Sequence, residues 1–123
     1  MEIGTLKQAL RACWDEDTCY KPMRTNYGVN KPSYGQCYGS VLIVNDYFGG
    51  EIFVVNFPEG GGHFWNFIGG KDVDLTRDQF DVDQLFPEPE LFTRAEIDIK
   101  YPDKEGIYAL LKHRVDKYLS ENS

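Results

Sequence analysis

Three side chains in this sequence are of the types, and in the order, that thiol chemistry needs: Cys37, His63 and Asp74. A thiolate attacks a carbonyl carbon, an imidazole shuttles the proton, and a carboxylate fixes the imidazole's tautomer and stabilises its charge. Cys37 enters an apolar run; at the start of a helix it meets free backbone amides and a positive dipole end, both of which favour a thiolate. Its own backbone amide, aided by Gln36, is a candidate donor to an oxyanion. Trp65, Trp14 and Tyr34 are candidate lining residues for the cleft. These parts suffice for acyl transfer from an amide or ester carbonyl, as a hydrolase or an acyltransferase, with no cofactor. The expected substrate is a peptide or a small-molecule amide or ester.

The histidine and the carboxylate can be related by strand geometry alone. Gly69-Gly70 between two β-rich runs is a two-residue hairpin signal. With those glycines as the turn, Ile68 faces Lys71, Trp65 faces Asp74 and His63 faces Thr76. Alternation then places His63, Trp65, Asp74 and Thr76 on one face, with Asp74 a diagonal neighbour of His63. Asp72 shares the face but lies one pair further away. Each piece also has a bland reading. A lone cysteine entering an apolar run is commonly core filler, a strand histidine is commonly surface or hydrogen-bonded, and Asp74 could cap a turn or pair with Arg77. A metal site built on Cys37, His63, Asp72 and Asp74 is weaker, because no pair has a zinc spacing and His113 lies on an exposed helical face.

The elements that must hold these residues follow from periodicity. Thr5-x-x-Gln8 resembles a capping box, and Leu6, Ala9, Leu10 and Cys13 form one stripe of a short helix ending near Trp14. Cys13 is therefore read as core. Residues 15–36, rich in Asp, Thr, Asn, Gly, Pro and Ser, read as a long surface loop. Val41-Leu42-Ile43-Val44 fits a buried strand or a buried helix; a central helix with Cys37 at its start and Gly49 near its C-terminal cap is preferred. Glu51–Phe57, His63–Ile68 and Lys71–Thr76 read as a three-stranded antiparallel meander. Residues 77–92 read as a covering loop or short helix that plugs Phe80, Leu85 and Phe86 into the domain. Ile97, Ile99 and Tyr101 alternate as in a short strand, Pro102 suits a first helical position, and Ile107, Leu110, Leu111, Val115, Tyr118 and Leu119 mark a C-terminal helix. The class is α+β, a single domain over 1–123, with a central helix on an antiparallel sheet and flanking N- and C-terminal helices.

Bulk properties narrow the function classes. The 123 residues carry a net charge of −7 without a basic stripe, which argues against a nucleic-acid partner. No run approaches a membrane span, the N-terminus lacks a secretory pattern, and three cysteines match no zinc or disulfide framework. Cys13 and Cys19 are not expected to bridge. A reduced, cytoplasmic setting is the default expectation.

The string His63-Phe64-Trp65-Asn66, a hairpin, then Asp74-Leu75-Thr76 resembles the H-x-W…D-x-T hairpin of transglutaminase-like proteins, and Gly35-Gln36-Cys37 resembles the entry to their nucleophile helix. The resemblance spans residues 35–76 and implies a papain/transglutaminase-like core. A second resemblance covers most of the chain. Pro32-Ser33-Tyr34-Gly35-Gln36-Cys37, Asp46-Tyr47-Phe48-Gly49-Gly50-Glu51-Ile52, His63-Phe64-Trp65-Asn66 and Asp74-Leu75-Thr76-Arg77-Asp78-Gln79-Phe80 are similar to motifs of the YunG-like family of small bacterial proteins. This resemblance bears on the fold more than on the activity. Gly39, in the first turns after Cys37, weakens a helix by ~1 kcal/mol relative to Ala. Two other functions compete with the thiol enzyme: a non-catalytic binding module on the same scaffold, contacting through the aromatic segment Tyr20 to Tyr38, and a partner protein acting through the acidic 78–90 segment.

Overall fold

The apolar run Val41–Val44 folds as helix, because it is covered on every side. Helix α2, Cys37–Phe48, buries each residue from Gly39 to Asn45, the pattern of a helix enclosed by its neighbours. On one side Ile43 and Val44 pack with Leu6, Ala9 and Leu10 of α1 (Ile3–Cys13) and with Leu111 and Val115 of α4 (Ile107–Glu121). On the other, Val41 and Leu42 pack with Ile52, Val54 and Ile97. Each such aliphatic side chain contributes about 1.5–3 kcal/mol of transfer free energy. Gly39 permits the close approach of α4: a Cβ there would stand 3.2 Å from Leu111 Cδ2 and 3.4 Å from Ile107 Cγ2. Gly49 follows the helix as its C-cap, and its N–H bonds the Asn45 carbonyl at 2.8 Å.

The computed structural model describes residues 1–122. The sheet has four antiparallel strands in the order β3-β2-β1-β4: β1 is Glu51–Asn56, β2 Gly62–Ile68, β3 Lys71–Val73 and β4 Glu90–Phe92. The Gly69-Gly70 hairpin forms in the expected register, with Ile68 opposite Lys71 and Phe67 opposite Asp72. Helix α2 runs alongside β2 in the same direction. Cys37 and Phe64 border a common small cavity, Asn66 Nδ2 donates to the Val41 carbonyl at 2.9 Å, and Phe48 and Ile68 join the same apolar cluster. The start of α2 therefore lies beside the start of β2, where His63 is.

Several expectations are corrected. Helix α1 begins at Ile3 with Glu2 as N-cap, so Thr5 and Gln8 lie inside the helix and form no capping box. Residues 15–36 are not an unstructured loop: they contain 3₁₀ segments at Glu16–Thr18 and Lys21–Val29, and bury Thr18, Cys19, Ser33 and Gln36. Asp15 caps the first segment by accepting from Asp17 N and Thr18 N, and Arg24 binds the carbonyls of Cys19 and Asp17. Strand β3 stops at Val73, earlier than expected, and β4 is a fourth strand paired to β1. Ile97, Ile99 and Tyr101 belong not to a strand but to helix α3, Arg94–Lys100, and its C-cap; Thr93 and Glu96 cap it reciprocally. Only Ile97 of that trio is buried, while Ile99 is 83% exposed. Helix α4 starts after Gly106, not at Pro102, and Asp103 receives the Tyr108 and Ala109 amides. Among the described residues, no helix is long and apolar enough to cross a membrane.

Candidate functional site

His63 is the second residue of β2 and is fully buried. Its Nε2 lies 2.7 Å from Asp74 Oδ2. The ladder pairs of Trp65 with Asp74 and of His63 with Thr76 do not form, because the chain turns out of β3 at Asp74. Asp74 Oδ1 accepts from the Thr76 amide at 3.2 Å and the Thr76 hydroxyl at 3.4 Å, an aspartate turn of the kind that ends strands. One carboxylate oxygen thus closes the turn and the other holds the imidazole.

Cys37, the first residue of α2, is half-buried and lies close enough to the same imidazole to act on its proton affinity. Burial alone pushes the His63 pKa down. The Asp74 carboxylate, which accepts from the ring, and the neighbouring Cys37 outweigh it and lift the value to about 9. The imidazole is therefore protonated at neutral pH, bonded to a carboxylate and near a thiol. Burial pushes the Cys13 thiol up, and the Cys19 thiol up to about 11.

An aromatic cover keeps water from the ring. The His63 ring centre is 4.8 Å from that of Phe80, 5.5 Å from Phe86 and 5.8 Å from Trp65. Phe80 and Phe86 thus plug inward as expected, whereas Leu85 is 91% exposed. Cys37 opens on a cavity of about 820 Å³ whose walls include Met23, Tyr38, Phe57, Phe64, Phe80 and Tyr101. The glycines Gly60, Gly61 and Gly62 form part of its rim.

The candidate lining residues do not border this cavity. Trp14 belongs to the core and donates from Nε1 to Ser40 Oγ at 2.9 Å, steadying the first turn of α2. Trp65 stacks on His63 and donates to Asp72 Oδ1, outside the cavity wall. Tyr34 is half-buried in the turn before Gly35, away from the cavity. Gln36 is buried and turned inward: its Oε1 accepts from Thr18 Oγ1 at 2.8 Å and its Nε2 donates to the Asp15 carbonyl at 2.9 Å. Its side chain anchors the preceding segment and has no donor left for the cavity. Among the described residues no group of three or more His, Cys, Asp or Glu is gathered to hold a metal ion, and His113 is exposed on α4.

One residue of the site escaped sequence reasoning. Gln79 borders the cavity with Cys37, and its Nε2 lies 3.5 Å from His63 Nδ1. No spacing rule marks an amide five residues after an aspartate; the only signal was its place in the Asp74–Phe80 string.

The sequence profile of the family described as YunG protein matches residues 2–120. A protein of Bacillus subtilis (strain 168), described as uncharacterized protein YunG, is 45% identical over 49 residues, covering 40% of this chain. The match spans 42% of the length of that relative. No solved structure matches the chain. The chain belongs to the YunG family.

Proposed function

We propose that this YunG-family protein is a thiol-dependent acyl-transfer enzyme, a hydrolase or acyltransferase of an amide or ester, with Cys37 as nucleophile, His63 as acid and base, and Asp74 as the orienting carboxylate. The observation that carries the reading is the buried His63 bonded to Asp74 with the Cys37 thiol in its neighbourhood. A buried charged pair of this kind is costly to maintain for stability alone. Strongly perturbed groups beside a cavity mark candidate functional sites. A helix-borne cysteine, a strand-borne histidine and a carboxylate just after the next strand also resemble the papain/transglutaminase-like arrangement.

The chemistry follows from the positions. The Cys37 sulfur attacks the carbonyl carbon, and the carbonyl π electrons move to oxygen. The helix-start amide of Cys37 faces that oxyanion. The intermediate collapses, the C–N or C–O bond breaks, and His63 gives its proton to the departing amine or alcohol. A thioester remains. Water or an acceptor amine then attacks it, with His63 taking the proton and the Cys37 thiolate leaving. Asp74 holds the ring throughout.

The test is the iodoacetamide alkylation rate of each cysteine, read by mass spectrometry at neutral pH in wild type and in His63→Ala. Cys37 should react fastest, because the thiols of Cys13 and Cys19 are held protonated by burial, and it should lose that advantage in the variant. A Cys37 no faster than the other two, and indifferent to His63, rejects the enzyme and favours a non-catalytic binding module.

A further inference from the structure

Gln79 ends the 3₁₀ turn Arg77–Gln79 that follows Asp74. Its side chain bridges the backbone of Gly35 and the ring of His63. Oε1 accepts from the Gly35 amide at 3.2 Å, and Nε2 points toward His63 Nδ1 at 3.5 Å. This anchor fixes which way the amide faces. If oxygen and nitrogen were exchanged, the amide N–H₂ would meet the Gly35 N–H, donor against donor. Gly35 is itself held in place: it has φ 71°, its carbonyl accepts from Tyr20 N at 2.8 Å, and it packs closely on Cys19. The Gln79 N–H₂ is therefore presented to the thiol site by rigid backbone.

What it meets there is the wrong partner. His63 Nε2 is committed to Asp74, so a protonated ring also carries hydrogen on Nδ1, and that nitrogen cannot accept from Gln79. Gln79 and Cys37 border the same cavity, and beside a protonated ring the Gln79 N–H₂ is left with a donor to spare. The group suited to it is an anionic oxygen beside the sulfur.

We infer that Gln79 is a catalytic residue whose Nε2 donates a hydrogen bond to the oxyanion formed when Cys37 attacks a carbonyl. The inference rests on the thiol-site reading and adds a second donor to the Cys37 backbone amide. Gln36, the side chain first assigned this task, is locked onto Thr18 and Asp15; Gln79 takes its place.

Two reagents separate this role from mere positioning. Iodoacetamide alkylates Cys37 by displacement of iodide and forms no oxyanion. p-Nitrophenyl acetate acetylates it through a tetrahedral oxyanion and releases p-nitrophenolate. Both rates at Cys37 are measured by mass spectrometry in wild type, Gln79→Ala and Gln79→Glu, with near-ultraviolet circular dichroism confirming the fold. Gln79→Glu keeps an oxygen for Gly35 while losing the donor, and the ratio of the two rates cancels any change in thiolate population. The expected result is a fall of about 100-fold in the acetylation-to-alkylation ratio in both variants. An unchanged ratio in folded Gln79→Glu overturns the assignment, as does a parallel fall of both rates, which would make Gln79 a positioning residue. If Cys37 of the wild type is neither alkylated nor acetylated ahead of Cys13 and Cys19, the thiol-site reading itself fails, and the assignment with it.

Discussion

His63 Nε2 stands 2.7 Å from Asp74 Oδ2, with the ring fully buried and the carboxylate's other oxygen tied to Thr76. The pair therefore joins β2 to the turn that ends β3, and its protonation contributes to folding. His63 has an ordinary value of 6.5 when unfolded and about 9 in the fold. The folded chain thus holds its proton more tightly. The contribution is complete below pH 6.5 and is lost as pH rises through about 9. Its size is on the order of 3 kcal/mol. Urea unfolding at several pH values across that window should show stability declining in wild type, with the decline much reduced in His63→Gln.

Asp74→Asn replaces the carboxylate by an amide that carries no charge and offers the ring a different hydrogen-bond pattern. Iodoacetamide alkylation of Cys37 should slow by roughly 10-fold at neutral pH, the effect of about one pKa unit lost from the imidazolium that pairs with the thiolate. Asp72→Asn, which touches only the exposed Trp65 Nε1 bond, should leave the rate within about threefold of wild type. Equal effects of the two substitutions would count against a specific role for Asp74.

Gly39→Ala sets two known effects against each other. Alanine favours the helix by ~1 kcal/mol, but its Cβ would meet Leu111, which is fully buried, at 3.2 Å. Overpacking of a closed core costs about 1–3 kcal/mol, so the chain should lose stability on balance, and Gly39→Val should lose clearly more. Urea midpoints of the two variants check the order.

Much of this architecture was legible because long periodic segments carry strong signals. Leu6, Ala9 and Leu10 mark α1, and Ile107, Leu111 and Val115 mark α4. The hairpin was legible from Gly69-Gly70, and it brought Asp74 toward His63 although the ladder stops at Val73. What failed was short. Strand β4 has three residues and α3 has seven, too few for periodicity to separate from chance. The Ile97, Ile99 and Tyr101 alternation suggested a strand, while the Thr93-Glu96 capping box that starts the helix went unread. Residues 15–36 looked like a loop because their order comes from side chains such as Asp15, Arg24 and Gln36 bonding to backbone, and composition does not register that. Trp14 and Gln36 are the kinds of residue that line sites, yet tertiary packing turned both inward.

Arg94, at the start of α3, donates from Nη1 to the Leu42 carbonyl, Asn45 Oδ1 and Asp46 Oδ1, and from Nε to Asp98. It joins α3 to the C-terminal half of α2. Arg94→Met keeps the stem but loses the fork, leaving a buried carbonyl and an amide oxygen short of a donor. Stability should fall by about 1–3 kcal/mol, and Arg94→Lys should restore only part of it because a point charge cannot serve several acceptors at once. Thermal unfolding of the two variants reads this directly.

The most direct test of the account is the NMR pH titration of the His63 ring in wild type and in Cys37→Ser, using the exposed His113 as internal reference. The wild-type midpoint should lie at about 9, with a clear downward shift when the thiol is removed. A wild-type midpoint at or below that of His113, unmoved by the loss of Cys37, would contradict it, because the imidazole would then be a buried neutral ring with no thiol partner.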